Sequence, residues 1–317
     1  MMDTAGKHSE RIEVDVGVVE EPLDFLDYVK IQRGIEAKDC HARISKDGGK
    51  DFYKIGLNVL DKSKEKQKPF FGDEFKDTGV KRLNLLGAAE NVKESYKNVR
   101  DMYQECQIEK FQGTPHTHTG DQKILSIMCG KPNSNCKFPC CYCSAETPYD
   151  FKENGDLYEL GYLQEQNREY VFSGSPSLRQ RDYENVVNYP IFAGPPSQKI
   201  IDMFPPSVLH LMLRIINHIC DDLTTKTKKR FRKDIVLEFA KENAIVRKSY
   251  HGGNYQGNQC RSIMRKVDRL EAKLPDNLKV YTKCLKAYEL VVDKCHGMEV
   301  DRNYKMYLEK FKVSFFI

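Results

Sequence analysis

Residues 53–59 read Tyr53-Lys54-Ile55-Gly56-Leu57-Asn58-Val59, so apolar side chains alternate with polar or small ones. A repeat of two residues predicts a β-strand with one buried face. The preceding run Asp47-Gly48-Gly49 is typical of a tight turn. Residues 41–60 are therefore predicted to form a β-hairpin.

The elements that follow this hairpin alternate between strand and helix. Further strands are predicted at residues 80–89 and 114–120, where apolar and β-branched residues are frequent. Between them, Asn91 with Glu94 three positions later predicts a helix start of the capping-box type. A second helix is predicted directly after the last strand. An order of strand, strand, strand, helix, strand, helix is typical of an α/β fold.

Changes of composition divide the chain into four predicted segments. They are an acidic N-terminal arm (1–40), the α/β core (41–130), a cysteine-containing, loop-rich insertion (131–205) and a mostly helical region (206–317). In the last segment helices are predicted at 208–223, at 260–274 where Pro275 ends the helix, at 277–296 and from 301 onward. Because the chain stops within an apolar run at 313–317, we expect this helical region to be incomplete at its C-terminus and to continue in a longer parent protein. The alternative is a C-terminal helix or strand docked on the core.

Composition excludes two classes of protein. No stretch approaches the roughly 20 apolar residues that a membrane-spanning helix needs. The first residues, Met1-Met2-Asp3-Thr4, show neither the basic nor the apolar region of a secretory signal. Eleven cysteines in such a chain are expected to be thiols or metal ligands in a reducing compartment rather than disulfides. An intracellular protein is therefore predicted.

Positive charge is concentrated in one segment of the helical region. The whole chain carries a net charge of +5, and residues 226–248 alone hold nine basic and three acidic residues, or +6. Such an excess can neutralise phosphates and predicts salt-dependent binding to DNA. A solvated helix face is the alternative interpretation. The candidate DNA contacts are Lys226, Lys228, Lys229, Arg230, Arg232 and Lys233.

Cys140 and Cys143 have the C-x2-C spacing that lets two thiolates bind one tetrahedral zinc ion. A structural zinc site needs two more ligands, for which the candidates are Cys136, His116 and His118 nearby, or His210, His218 and Cys220 farther along the chain. His210 and His218 would lie about 12 Å apart on one helix and cannot both bind the same ion. Buried thiols or a vestigial half-site remain alternatives.

Two aspartates stand where strands are predicted to end. Asp47 adjoins the glycines of the hairpin, and Asp121 follows Gly120 at a strand-to-helix junction. Carboxylates at one edge of a mixed sheet can hold Mg²⁺, and two such ions stabilise both oxygens of a phosphoryl transfer. In the alternative interpretation Asp47 is a turn residue and Asp121 caps a helix.

Several short runs resemble sequences of transposases with an RNase H-like fold. These runs are Gly120-Asp121-Gln122-Lys123-Ile124-Leu125 and, after Gly130, Phe138-Pro139-Cys140-Cys141-Tyr142-Cys143. Two further runs resemble uncharacterised, transposon-derived animal proteins of this sort, namely Pro206-Ser207-Val208-Leu209-His210-Leu211 and Tyr250-His251-Gly252-Gly253-Asn254 with Gly257-Asn258. The recombination-activating recombinase and its Transib-type relatives show a similar spacing between an aspartate and C-x2-C, which here is 19 positions from Asp121 to Cys140. The resemblance covers roughly residues 41–275.

The resemblance implies a DDE enzyme, in which three acids hold two Mg²⁺ or Mn²⁺ ions and DNA strands are cut and transferred. It implies an RNase H-like mixed sheet in residues 41–130, with Asp121 as the second acid and Asp47 as the first. It also implies a zinc site at Cys140 and Cys143. The expected partner is DNA, the expected location is the nucleus, and the expected assembly includes a homodimer.

The sequence departs from this family at the third acid. Gly252 stands where a carboxylate is needed, and no H-x4-H pair supplies the second zinc half. Glu238, Glu271 and Glu289 lie on predicted helices, but no motif selects one of them. We therefore expect a transposase-derived fragment with residual metal and DNA binding, and not an autonomous strand-transfer enzyme. The alternatives are a zinc-stabilised binding or scaffold protein without catalysis, and a complete Mg²⁺-dependent nuclease whose third acid no motif identifies.

Overall fold

Four β-strands form one mixed sheet in the N-terminal half of the chain. Their bounds are β1 (Cys40–Gly48), β2 (Phe52–Asp61), β3 (Asn84–Glu90) and β4 (His116–Thr119). The computed structural model describes residues 22–48, 52–65, 83–132, 136–146, 155–247, 253–296 and 301–315. The hairpin turn at 49–51, most of the acidic arm and the run His251-Gly252 lie outside the described residues.

The sheet has the order β3-β2-β1-β4. Strands β1 and β2 pair antiparallel as the predicted hairpin, with Asp47 opposite Lys54, and β3 pairs antiparallel with β2. Strand β4 pairs parallel with β1, so that Ser45 lies opposite Thr119. A parallel pair needs a crossover connection, and the helix between β3 and β4 is part of it. The fold is therefore α/β with a four-stranded mixed sheet.

Strand β2 is buried more completely than its alternating sequence predicts. From Ile55 to Asp61 every residue is buried, including Gly56 and Asn58 on the face expected to be polar. One covering element is helix α1 (Pro22–Arg33), which packs on β2 and buries Leu26 in the same core. This helix lies within residues 1–40, the segment predicted to be an acidic N-terminal arm.

The remaining helices of the N-terminal half surround this sheet or follow it. They are α2 (Lys62–Glu65), α3 (Tyr96–Glu105), α4 (Gln122–Met128), α5 (Leu160–Phe172) and α6 (Ile200–Met203). Helix α5 lies in the predicted loop-rich insertion, and its Leu160 and Leu163 join the core of the sheet. The chain thus continues to contribute to this first core well beyond β4.

The chain divides into two compact units, residues 1–206 and 207–317. The second unit is helical, and its division from the first coincides within one residue with the predicted start of the helical region. Its helices are α7 (Val208–Phe231), α8 (Ile235–Glu242), α9 (Gly257–Arg265), α10 (Val267–Glu271), α11 (Lys279–Cys295) and α12 (Tyr304–Phe315). A separate hydrophobic core holds them together.

Two of these helices differ from their predicted lengths. Helix α7 continues through the basic segment to Phe231, where Arg232 ends it in a left-handed conformation with φ of 52°. The helix predicted at 260–274 is interrupted at Lys266, which adopts a non-helical backbone between α9 and α10. Within the described ranges, no helix has the length and apolar character needed to cross a membrane.

Candidate functional site

The carboxyl ends of β1 and β4 meet at one edge of the sheet. Their parallel pairing ends at Ser45 and Thr119, whose hydroxyl oxygens are 3.0 Å apart. Asp47 and Asp121 each follow these residues by two positions. The register therefore brings the two predicted acids, 74 positions apart in the chain, to the same edge of the sheet.

Gly120 permits the close passage of β4 alongside β1 at this edge. A Cβ atom added to Gly120 would lie 3.0 Å from the carbonyl oxygen of Lys46 and 3.2 Å from Cζ of Phe204. A residue with a side chain would have to push one of these neighbours away. The glycine before Asp121 thus has a packing reason that does not depend on catalysis.

Asp121 is the N-cap of helix α4. Its Oδ1 accepts a hydrogen bond from the backbone N–H of Ile124 at 2.9 Å. This contact gives Asp121 a structural role, as the plain interpretation of the sequence predicted. A carboxylate has two oxygens, so the cap does not by itself prevent the side chain from contacting a cation.

The side chain of Asp47 lies at the sheet surface. It forms an ion pair of 3.0 Å with Lys54, its cross-strand neighbour on β2, and 67% of the side chain is exposed. The next residue toward the N-terminus, Lys46, points to the opposite face and is buried, as the alternation of a strand requires. A metal ion at Asp47 would have to compete with Lys54.

A third carboxylate, Glu94, lies against the end of β1. Its side chain is only 7% exposed, and Oε2 forms an ion pair of 2.5 Å with Lys123. A Cβ atom on Gly48 would lie 1.7 Å from Oε1 of Glu94, so this glycine makes room for the carboxylate. Oε1 is buried and has no hydrogen-bond partner among the described residues.

The predicted capping box of Asn91 and Glu94 is wrong, because the helix starts after both residues. Helix α3 begins at Tyr96, and its N-cap is Ser95, whose hydroxyl accepts from the backbone N–H of Asn98 at 3.3 Å. Asn91 instead has φ of 58° and belongs to the turn after β3. Ser95 was a sequence signal for the true start of the helix, whereas no local pattern placed Glu94 beside Gly48.

The phenol of Tyr53 is close enough to Glu94 and Asp121 for both carboxylates to affect its pKa. Burial is the main cause that raises the pKa of its phenol well above the usual value, and the charges of Glu94 and Asp121 raise it further. Its hydroxyl is buried and lacks a hydrogen-bond partner among the described residues. After Oε1 of Glu94, the hydroxyl of Tyr53 is thus a second buried polar atom without a hydrogen-bond partner among the described residues. The charges of Glu94 and Asp121 both act on it.

These donors suit a hard cation in type but not in arrangement. Carboxylate oxygens are the ligands that Mg²⁺ prefers. Within the described parts of the chain, however, no three His, Cys, Asp or Glu side chains converge closely enough to hold a metal ion. Lys54 and Lys123 already neutralise the carboxylates of Asp47 and Glu94, so a divalent cation would have to displace these lysines.

The predicted zinc pair is brought together. The Sγ atoms of Cys140 and Cys143 lie 3.4 Å apart, and the backbone N–H of Tyr142 points to Cys140 Sγ at 3.4 Å. Both cysteines are partly buried, and burial raises the pKa of the Cys140 thiol. A bound zinc ion would counter this effect, because metal coordination stabilises the thiolate.

The candidates for the remaining zinc ligands are engaged elsewhere or lie deep in a core. His116 and His118 stand on β4, where their Nδ1 atoms bond to the carbonyl of Thr114 and to Lys46, each at 2.7 Å. Cys220 is fully buried in the core of the second unit. Helix α7 is continuous through both His210 and His218, so they cannot share one ion. Cys136 is partly buried, but among the described residues it does not converge with Cys140 and Cys143 closely enough to form a three-ligand group.

Some of the candidate DNA contacts in the basic segment form ion pairs with nearby acids, and others have none among the described residues. Lys226 pairs with Asp222 at 3.2 Å, Lys228 with Asp234 at 3.1 Å and Lys233 with Glu238 at 2.9 Å. Lys229, Arg230 and Arg232 are exposed and have no ion pair within the part of the chain that the structure describes. The positive charge available to a partner is therefore carried mainly by these three.

Comparisons with known proteins assign no family. The chain matches no protein-family model and none of the curated proteins. The resemblance to transposases therefore depends on the short runs of sequence alone.

Proposed function

We propose that the chain is a transposase-derived protein with an RNase H-like core, which binds DNA and has a weak affinity for Mg²⁺ or Mn²⁺ but does not cut DNA on its own. The observation that carries this proposal is the parallel pairing of β1 with β4, which brings Asp47 and Asp121 to one edge of the mixed sheet. A nuclear location and a homodimer belong to the same proposal and remain predictions.

The expected weakness of catalysis follows from the ligand set. Phosphoryl transfer with two metal ions requires both ions to be fixed close to the attacking and leaving oxygens. Here Asp121 caps a helix, Asp47 pairs with Lys54, and the carboxylate of Glu94 is held by Lys123. With so few oxygens available, a metal ion would be poorly positioned, and misplacement by about 1 Å can cost on the order of 100-fold in rate.

A nuclease assay tests this conclusion. We expect no cleavage of duplex DNA above background in Mg²⁺ or Mn²⁺, together with weak Mn²⁺ binding that Asp121→Asn reduces at least several-fold. Asparagine can still accept the hydrogen bond from Ile124, so this substitution removes the charge while keeping the helix cap. Robust cutting that Asp121→Asn abolishes would show that the active site is complete and that our view of the third acid is wrong.

The second candidate function is a zinc-stabilised binding or scaffold protein. The observation that favours it is the 3.4 Å separation of the Cys140 and Cys143 sulfurs, in the spacing expected for two ligands of one zinc ion. It requires no contribution from the carboxylates at the sheet edge.

Metal analysis of the purified protein separates the two functions. The scaffold function predicts one zinc ion per chain, lost in Cys140→Ser and in Cys143→Ser because each removes a thiolate ligand. Cys284→Ser is a matched control, since this thiol is buried in the core of the second unit. Stoichiometric zinc with no effect of Mg²⁺ on DNA binding or stability would favour the scaffold. Equal zinc content in all three variants would exclude the C-x2-C pair as a zinc site.

A further inference from the structure

The second unit contains a cleft of about 860 Å³ next to the basic segment. Its walls come from α7, from the first turn of α11 with the residues before it, and from the end of α12. Lys226, Lys229 and Arg230 line one side, so part of the basic segment faces a concave surface. A volume of this size lies within the range of small-molecule binding sites and greatly exceeds that of a single phosphate ion.

The charges in the cleft do not cancel. Asp222 is the one acidic residue among the described lining residues, and it is already neutralised by Lys226 at 3.2 Å. The hydroxyl of Tyr281 also donates to Asp222, and this hydrogen bond is the main cause that holds the pKa of the carboxyl below its usual range. Lys229 and Arg230 therefore supply the net positive charge of the cleft.

The rest of the lining is apolar and aromatic. Ile219 and Leu278 are buried and form part of the floor, while Tyr281 and Phe315 contribute aromatic rings. The ring of Tyr281 is held in place by its hydrogen bond to Asp222 and by Lys226, whose Nζ lies 5.0 Å from the ring centroid. The cleft thus combines two available cations with a fixed aromatic wall.

We propose that this cleft binds one unpaired nucleotide of single-stranded DNA, with the base against the aromatic and apolar wall and the flanking phosphates at Lys229 and Arg230. Cationic grooves combined with aromatic side chains are the arrangement that holds single strands without sequence readout. In a duplex the bases are paired and stacked, so a base can enter such a cleft only from an unpaired strand. The inference depends on the DNA binding proposed above and narrows it to one surface and one form of DNA.

Binding of a fluorescently labelled oligo-dT of about ten nucleotides to the full chain, followed by anisotropy at several salt concentrations, tests the inference. Lys229→Ala with Arg230→Ala should weaken binding and reduce the slope of log K against log salt by about 1.4, or about 0.7 for each lost phosphate contact. Tyr281→Leu should weaken binding by roughly 5- to 150-fold, the range expected for one lost stacking contact. Tyr281→Phe keeps the ring but loses the hydrogen bond to Asp222, so it should weaken binding less than Tyr281→Leu does.

Lys228→Ala is the matched control, because Lys228 is adjacent in sequence and equal in charge but pairs with Asp234 and lies outside the lining of the cleft. Thermal unfolding of every variant verifies that the helices remain folded. If Lys228→Ala weakens binding as much as the double variant Lys229→Ala with Arg230→Ala, or if Tyr281→Leu has no effect, the cleft is not the site. Retained binding to duplex DNA would then leave the proposed function standing, whereas a wild-type protein that binds neither form of DNA would remove both proposals.

Discussion

Replacement of Lys46 by methionine should remove a steep dependence of folding stability on pH in the alkaline range. Lys46 is 2% exposed on the core face of β1, and its Nζ lies 2.7 Å from Nδ1 of His118. Burial lowers the pKa of this amine well below its usual value of 10.5, and the nearby Cys106 thiol opposes the shift only in part. Burial therefore favours the neutral amine of Lys46 in the folded state, and this amine can donate a hydrogen bond to His118.

The direction of the effect follows from proton counting. Below pH 10.5 the unfolded chain carries a proton on Lys46 that the folded chain lacks, down to the lowered pKa of the folded state. Wherever the unfolded state binds more protons, the free energy of unfolding rises with pH. One proton corresponds to about 1.4 kcal/mol per pH unit, which is therefore the upper limit of the slope that this residue adds between its lowered pKa and 10.5.

Urea unfolding at pH 8, 9 and 10, monitored by circular dichroism, measures this contribution as the difference between wild type and Lys46→Met. The difference cancels the titration of other groups that both proteins share. His118 is also buried with a lowered pKa, but its effect falls below its usual value of 6.5 and thus outside this range. Lys97→Met, at a largely exposed lysine of α3, is the control and should show a constant difference. A constant difference for Lys46→Met would mean that the buried amine keeps its charge.

Substitution of Gly130 by alanine should be among the most destabilising single changes in the first unit. Gly130 follows α4 with φ of +75°, and a Cβ atom there would lie 1.9 Å from the carbonyl oxygen of Asn188. Its own carbonyl accepts from the backbone N–H groups of Val187 and Asn188, both at 3.0 Å. Because the clash involves backbone and not a flexible side chain, the two segments must separate.

Two costs add at this position. A left-handed conformation costs a residue with a Cβ atom roughly 1 to 2 kcal/mol. Overpacking typically costs a further 1 to 3 kcal/mol, which gives a total loss of about 2 to 5 kcal/mol. Gly174→Ala separates the two costs, because Gly174 has φ of +86° but no heavy atom within 4 Å of the added Cβ.

Chemical denaturation of both glycine variants provides the measurement. Gly174→Ala should lose only the conformational cost, and Gly130→Ala clearly more. The next residue, Lys131, donates to the carbonyls of Phe138 and Cys140 at 2.9 and 2.8 Å, so a shift at Gly130 should also disturb the C-x2-C loop. Equal losses in the two variants would show that the contact with Asn188 relaxes without cost.

Local sequence patterns predicted some features of the candidate site and missed others. The alternation at 53–59 predicted a strand of the hairpin, and the position of Asp121 after a strand predicted a helix cap, which the hydrogen bond to Ile124 confirms. Glu94 was assigned to the wrong role, because its position depends on Gly48, which is distant in sequence. Neither residue carries a local signal of that contact.

In the basic segment, the net charge follows from the sequence, but the ion pairs follow from it only in part. Its net charge of +6 is a property of the sequence. Which cations remain available depends on the acids that the fold places beside them, such as Asp222 one turn earlier on α7 and Asp234 beyond its end. The pair of Lys226 with Asp222 follows from helical spacing alone, whereas the pair of Lys228 with Asp234 depends on the turn that ends α7 at Arg232.

Side-chain period, caps and helix-ending residues predicted the type of most elements but not α1 or α5, because these signals act through contacts within a few positions of the chain. The strand order, the burial of both faces of β2 and the placement of Asp47 and Asp121 at the carboxyl ends of neighbouring strands are properties of the tertiary structure. These features arise when distant segments exclude water from a shared core, and the free energy of that burial depends on all the segments together.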